Sequence, residues 1–212
     1  MSKFNTILLP FSNTQPNAVT ADAACFMAKK FKCYIEGAYY RQLMPIIAGE
    51  GISLPADYLA EFEEEGRVQA ERASKDFMTL RADRGIPIAS FEESPEVPRA
   101  AWSEMIGTGP AGIGEYARLF DLSIISRDGY QAKVDWKTTF EAVLFESGKP
   151  VLLIGDPVVE SFGRRIVIAW NGSVEAARSV QAAMPMLLVS DEVVIWEVEG
   201  GTVSGPNAKQ VA

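Results

Sequence analysis

A few residue groups in this 212-residue chain have the types and spacing that chemistry requires. Gly107-Thr108-Gly109-Pro110-Ala111-Gly112 satisfies the pattern G-x-G-x-x-G. At the first strand–helix turn of a βαβ unit, such glycines let backbone N–H groups close on a pyrophosphate, and an acidic residue ends the next strand about 20 positions on. Here the motif follows the third expected strand, and the strand after it ends at Ser126. The segment therefore reads as a flexible start to a helix, with Pro110 at its first position. Asn171-Gly172-Ser173 matches a glycosylation sequon, but nothing directs the chain to a secretory compartment, and Ser173 fits a helix N-cap. Cys25 and Cys33 match no zinc spacing and are too few for a disulfide scaffold, so they read as small core residues. Trp102, Trp136, Trp170 and Trp196 fall near element ends and read as packing residues rather than ligand stackers. The chain has no His, which removes Ser–His–Asp and Cys–His catalysis and the commonest metal ligand.

Charge narrows the field further. Lys and Arg number 20 against 28 Asp and Glu, for a formal charge of −8, and no basic block is present. Phosphate neutralisation needs clustered cations, so no nucleic-acid partner is expected. The Glu61–Glu65 region, interleaved with Arg67 and Arg72, reads as a solvated helix face rather than a catalytic carboxylate pair. Apolar residues make up 48%, within the globular range, which excludes global disorder. No apolar run approaches the roughly 20 residues of a membrane span, and the opening Lys3-Phe4-Asn5-Thr6-Ile7 lacks a signal-peptide layout. A soluble, cytoplasmic protein is the expectation.

The elements that position these groups alternate between short β-rich runs and longer helical patterns, which indicates βαβ units and a parallel sheet. Strands are expected at 6–11, 33–40, 99–106, 121–126 and 150–154. Helices are expected at 18–31, with Asn17 as N-cap, and at 55–84, 110–120 and 136–146. In the second of these, Leu59, Phe62, Gly66, Ala70, Ala73, Phe77 and Leu80 form one stripe. Residues 41–54 read as loop, and 86–91 as a possible strand leading into an insertion. Five strands with intervening helices make one complete doubly wound domain, 1–157. The pattern then restarts: strand 165–170, turn 171–173, helix 174–188, strand 193–198. Residues 158–212 therefore read as an incomplete second domain.

Three segments carry a family resemblance: Ile7-Leu8-Leu9-Pro10; Ile166-Val167-Ile168-Ala169-Trp170-Asn171-Gly172-Ser173 with the Val174–Arg178 helix start; and Glu141-Ala142-Val143-Leu144-Phe145-Glu146-Ser147-Gly148-Lys149-Pro150-Val151-Leu152-Leu153-Ile154. Together they resemble the universal stress protein family, in particular its tandem two-domain bacterial members. The resemblance implies an α/β fold with an open five-stranded parallel sheet of order 3-2-1-4-5. ATP-binding members carry an acidic residue after the first strand and a G-x2-G-x9-G-[ST] loop before the fourth helix, whose glycines let N–H groups reach phosphates. The matching loop here runs from Ser126 to Thr138. Gly129 and Thr138 match; Ser126 and Lys137 replace glycines, and the spacer is two residues short. Ser12 stands at the acidic position in the first repeat and Asn171 in the second. The candidate cofactor-binding residues are thus Gly129, Thr138 and Ser12, with Arg127, Lys133 and Lys137 able to meet an anion. No catalytic or metal-binding residue is identified.

The leading expectation is a non-catalytic stress-response or regulatory module acting through dimerisation and an unknown protein partner, with no cofactor. The alternative is an adenine-nucleotide (ATP or AMP) sensor or slow ATPase, its crevice formed where Phe11, Ser12, Ser126 and Gly129 converge. A third option is an electron-transfer-flavoprotein-like binder of AMP or flavin. The apolar edge run Val151–Ile154 invites pairing. In relatives the fifth strands of two domains pair, and the second copy here supplies none. A homodimer through residues 150–155 is therefore expected.

Overall fold

The computed structural model describes residues 3–11, 18–43, 55–93, 97–107, 111–127, 136–155, 162–198 and 203–211. It separates into two compact units, Phe4–Val158 and, with Met1–Lys3, Val159–Ala212.

In the first unit, β1 (Thr6–Phe11), β2 (Tyr34–Gln42), β3 (Arg99–Gly107), β4 (Leu122–Ser126) and β5 (Val151–Ile154) form one sheet in the order β3-β2-β1-β4-β5. Every pairing is parallel. The central strands are covered on both faces, so β1 and β4 are near-continuous apolar runs, as parallel sheets require. Helices α1 (Ala18–Phe31) and α2 (Ala56–Asp83) connect the first three strands. Helix α3 (Gly112–Tyr116), a 3-10 turn (Ala117–Leu119) and α4 (Trp136–Glu146) follow.

Side-chain alternation divides the core. On the face carrying α3 and α4, Leu8, Tyr34, Ala38, Ile113, Ala117, Phe120, Ile125 and Val143 form one buried cluster. On the opposite face Phe11 meets Phe77 of α2 and Trp102 of β3 edge-on, at 5.9 and 5.1 Å between ring centroids. Gly37 makes that contact possible: a Cβ there would sit 2.5 Å from the Phe77 ring. Gly114 does the same for α3 on α4, since its Cβ would lie 2.2 Å from the Ala142 carbonyl oxygen.

Three expectations change. The helix expected at 110–120 is a five-residue α3 running into a 3-10 turn; Gly112 and Gly114 weaken the helix, and Phe120 turns extended to enter the core. Strand β2 runs two residues further than expected because Arg41 and Gln42 pair with Ile106 and Gly107. Residues 86–91 make no strand, only a bridge between Ile88 and Ala100 beside the outer edge of β3. The solvated face of α2 is as expected, with Arg67 bonded to Glu64 and Glu71. Asn17 and residues 44–54 lie outside the described residues.

The second unit has β6 (Arg165–Trp170), α5 (Val174–Leu187), β7 (Glu192–Glu197) and α6 (Ala208–Val211), with β6 and β7 parallel. Ser173 caps α5, its hydroxyl accepting from the Ala176 N–H at 3.1 Å. A six-residue strand followed by a 14-residue helix repeats the β1–α1 layout.

Candidate functional site

Strand order determines where a ligand would meet the first unit. From β1 the chain winds to β2 and β3, then crosses to β4 and β5. In sheets of this order, ligands bind beyond the carboxyl ends of the strands on either side of the reversal, here β1 and β4. Ser126 ends β4, and the Arg127 N–H donates to the Ile154 carbonyl at 2.7 Å, which ties the departing chain to the end of β5. Trp136, Lys137 and Thr138 form the first turn of α4, with Lys137 and Thr138 exposed and Thr139 turned inward. A helix start carries the positive end of the helix dipole.

Of the sequence-derived site residues, Thr138 stands in that first turn, whereas Ser12, Gly129 and Lys133 lie outside the described residues. Phe11 does not reach the crevice. It is 1% exposed and held between Phe77 and Trp102, because strand alternation sends it to the α2 face. The G-x-G-x-x-G stretch has another use: a Cβ on Gly107 would lie 2.0 Å from the Tyr40 Oη, and one on Gly112 would lie 2.1 Å from the same ring. These glycines make room for Tyr40. The helix begins at Gly112, so the expected start at Pro110 is two residues early; Pro110 itself lies outside the described residues.

Three of the tryptophans pack as expected: Trp102 against Phe11 and Phe77, Trp136 against Phe140, and Trp170 buried. Trp196 does not, at 63% exposure. Cys25 and Cys33 are both buried and form no disulfide, and burial pushes the Cys25 thiol above its usual range. Among the described residues, no group of three His, Cys, Asp or Glu side chains is placed to hold a metal.

Sequence reasoning passed over Glu36. It sits on β2, only 7% exposed, and its carboxylate accepts from the Tyr34 hydroxyl at 2.6 Å and from the Tyr116 hydroxyl. Arg99, equally buried, lies 5.7 Å above the Tyr34 ring and donates to the carbonyls of Ser90 and Phe91. The available signal was a lone carboxylate inside the otherwise uncharged YIEGAYY. Burial, and then the hydrogen bond to Glu36, raise both tyrosine pKa values above the ordinary range.

A tyrosine kept neutral in the fold, but free to ionise near pH 10 once unfolded, leaves the native state with more bound protons above that pH. The stability this supplies is whole below about pH 10 and declines as pH rises further. Urea midpoints should therefore fall between about pH 9 and pH 11, with tyrosinate absorbance appearing together with unfolding. A flat or rising profile would contradict the burial of these hydroxyls.

The sheet order and switch point define the doubly wound, Rossmann-like α/β class. No protein-family model matches the chain, and no curated protein matches it in sequence. Solved structures do. A universal stress protein from Archaeoglobus fulgidus DSM 4304 aligns over 97% of this chain and 69% of its own, with 19% identity and a TM-score of 0.63. Universal stress protein UspA from Lactobacillus plantarum aligns over 73% of this chain and 99% of its own, at 14% identity and a TM-score of 0.49. A universal stress protein in complex with cAMP covers 73% of this chain and 98% of its own, at 12% identity and a TM-score of 0.41. The fold is that of the universal stress proteins. No helix among the described residues is long and apolar enough to cross a membrane.

Proposed function

We propose that this chain is a universal stress protein acting as a non-catalytic regulatory module, through self-association rather than nucleotide turnover. The observation that carries this reading is the geometry of β5. It is the outer strand of the sheet, wholly apolar, with Val151, Leu152 and Leu153 only partly buried. Pro150 and Ile154 turn their carbonyls toward β4, accepting from the Ser123 and Arg127 N–H groups. In a parallel ladder, alternate residues bond to the same neighbour. The backbone groups of Val151 and Leu153 consequently face outward, free to pair with another strand. The strand–helix–strand layout of the second unit supports a tandem arrangement in which it is a further copy of the same motif.

Light scattering at micromolar concentration should give twice the chain mass. Val151→Pro removes an outward N–H without breaking the bonds to β4, and should give a monomer with unchanged circular dichroism. A monomeric wild-type protein would refute the reading.

A second reading, adenine-nucleotide binding, is favoured by the first turn of α4, where Thr138 occupies the hydroxyl position of the family's phosphate loop. The replacement of two loop glycines by Ser126 and Lys137 weighs against it, since side chains there hinder backbone approach to phosphate.

A further inference from the structure

The second unit carries a closure made from its own chain. Beyond the carboxyl end of β6 lies the turn Asn171-Gly172-Ser173. Val203–Pro206 lies across that end. The Val203 N–H donates to the Asn171 carbonyl at 2.9 Å, and the Trp170 Nε1–H donates to the Pro206 carbonyl at 2.8 Å.

Between these bonds two glycine backbones meet. Gly172 has φ +81°, and a Cβ on it would stand 3.1 Å from the Val203 oxygen. A Cβ on Gly205 would lie 2.2 Å from the Gly172 oxygen, so a side chain at 205 does not fit. The far end of the segment is tied to β7, where the Ala208 N–H donates to the Glu197 carboxylate at 3.3 Å. Trp170 is the one buried residue of β6.

We propose that Val203–Pro206 is a self-capping strap, a conformational device latched over the carboxyl end of β6 that opens when the latch is released. Its two backbone-carbonyl bonds and the glycine contact form the latch, and the Trp170 indole N–H reports its state.

The test is indole hydrogen exchange on the full 15N-labelled chain, with Trp170 assigned through Trp170→Phe. In the wild type, the Trp170 indole should exchange at least about tenfold more slowly than that of exposed Trp196. Gly205→Val should bring the two rates within about threefold while the amides of α5 stay protected. Should Gly205→Val unfold the unit, Val203→Pro decides: it deletes one latch bond at a side chain that is 53% exposed, and should speed Trp170 exchange several-fold. Equal exchange of Trp170 and Trp196 in the wild type would overturn the proposal. So would unchanged Trp170 protection in a folded latch variant.

Discussion

Gly37→Val should cost the first unit about 3–5 kcal/mol, and lower its melting temperature by about 10 °C or more. The valine Cβ alone would sit 2.5 Å from the Phe77 ring. That ring cannot swing aside: it is 2% exposed, edge-on to Phe11 and within 5.6 Å of the Trp102 ring. Relief therefore requires α2 to back away from β2, which opens the aromatic cluster on that face. Gly85→Ala is the control. Gly85 has a backbone suited to glycine, at φ +67°, but nothing lies within 4 Å of its missing Cβ. It should cost only about 1 kcal/mol. Differential scanning calorimetry separates the two, and a Gly37→Val protein melting alongside Gly85→Ala would show that Phe77 does not seat on Gly37.

The second large effect concerns Glu36. Its carboxylate is buried, and among the described residues two tyrosine hydroxyls donate to it. Replacing both, in Tyr34→Phe with Tyr116→Phe, would leave a buried carboxylate without those two hydrogen bonds and should cost about 3–5 kcal/mol in urea unfolding near pH 7. Adding Glu36→Met to that pair should recover most of the loss, since the charge that needed the hydroxyls is gone. Additive costs in the triple variant would show that the three groups are not coupled.

Much of the fold was legible because the sequence pattern and the structure answer to the same constraint. In β1 and β4 the near-continuous apolar runs require cover on both faces, and the apolar helix α1 packs against both strands. The α3 region was harder to read. Its apolar spacing is helical, but Gly112 and Gly114 are there for close approach to Tyr40 and to α4, which no local pattern reveals. The same holds for the G-x-G-x-x-G stretch, whose regular expression counts spacing but not neighbours.

At the crevice the sequence named positions and the structure sorted them. Strand alternation alone places Phe11 on the α2 face, and Thr138 in the first turn of α4 follows from the helix boundary. The Glu36 network was illegible for a different reason. Tyr116 lies 80 residues away, and only the packing of α3 on the sheet brings its hydroxyl to the carboxylate.

The central claim is that this module works without a nucleotide, and calorimetric titration of the full chain with Mg-ATP addresses it most directly. The account predicts no heat of binding in the sub-millimolar range, and titrations of wild type and Gly129→Glu that superimpose. Sub-millimolar binding that disappears in Gly129→Glu would contradict it and establish the β4–α4 loop as a nucleotide site.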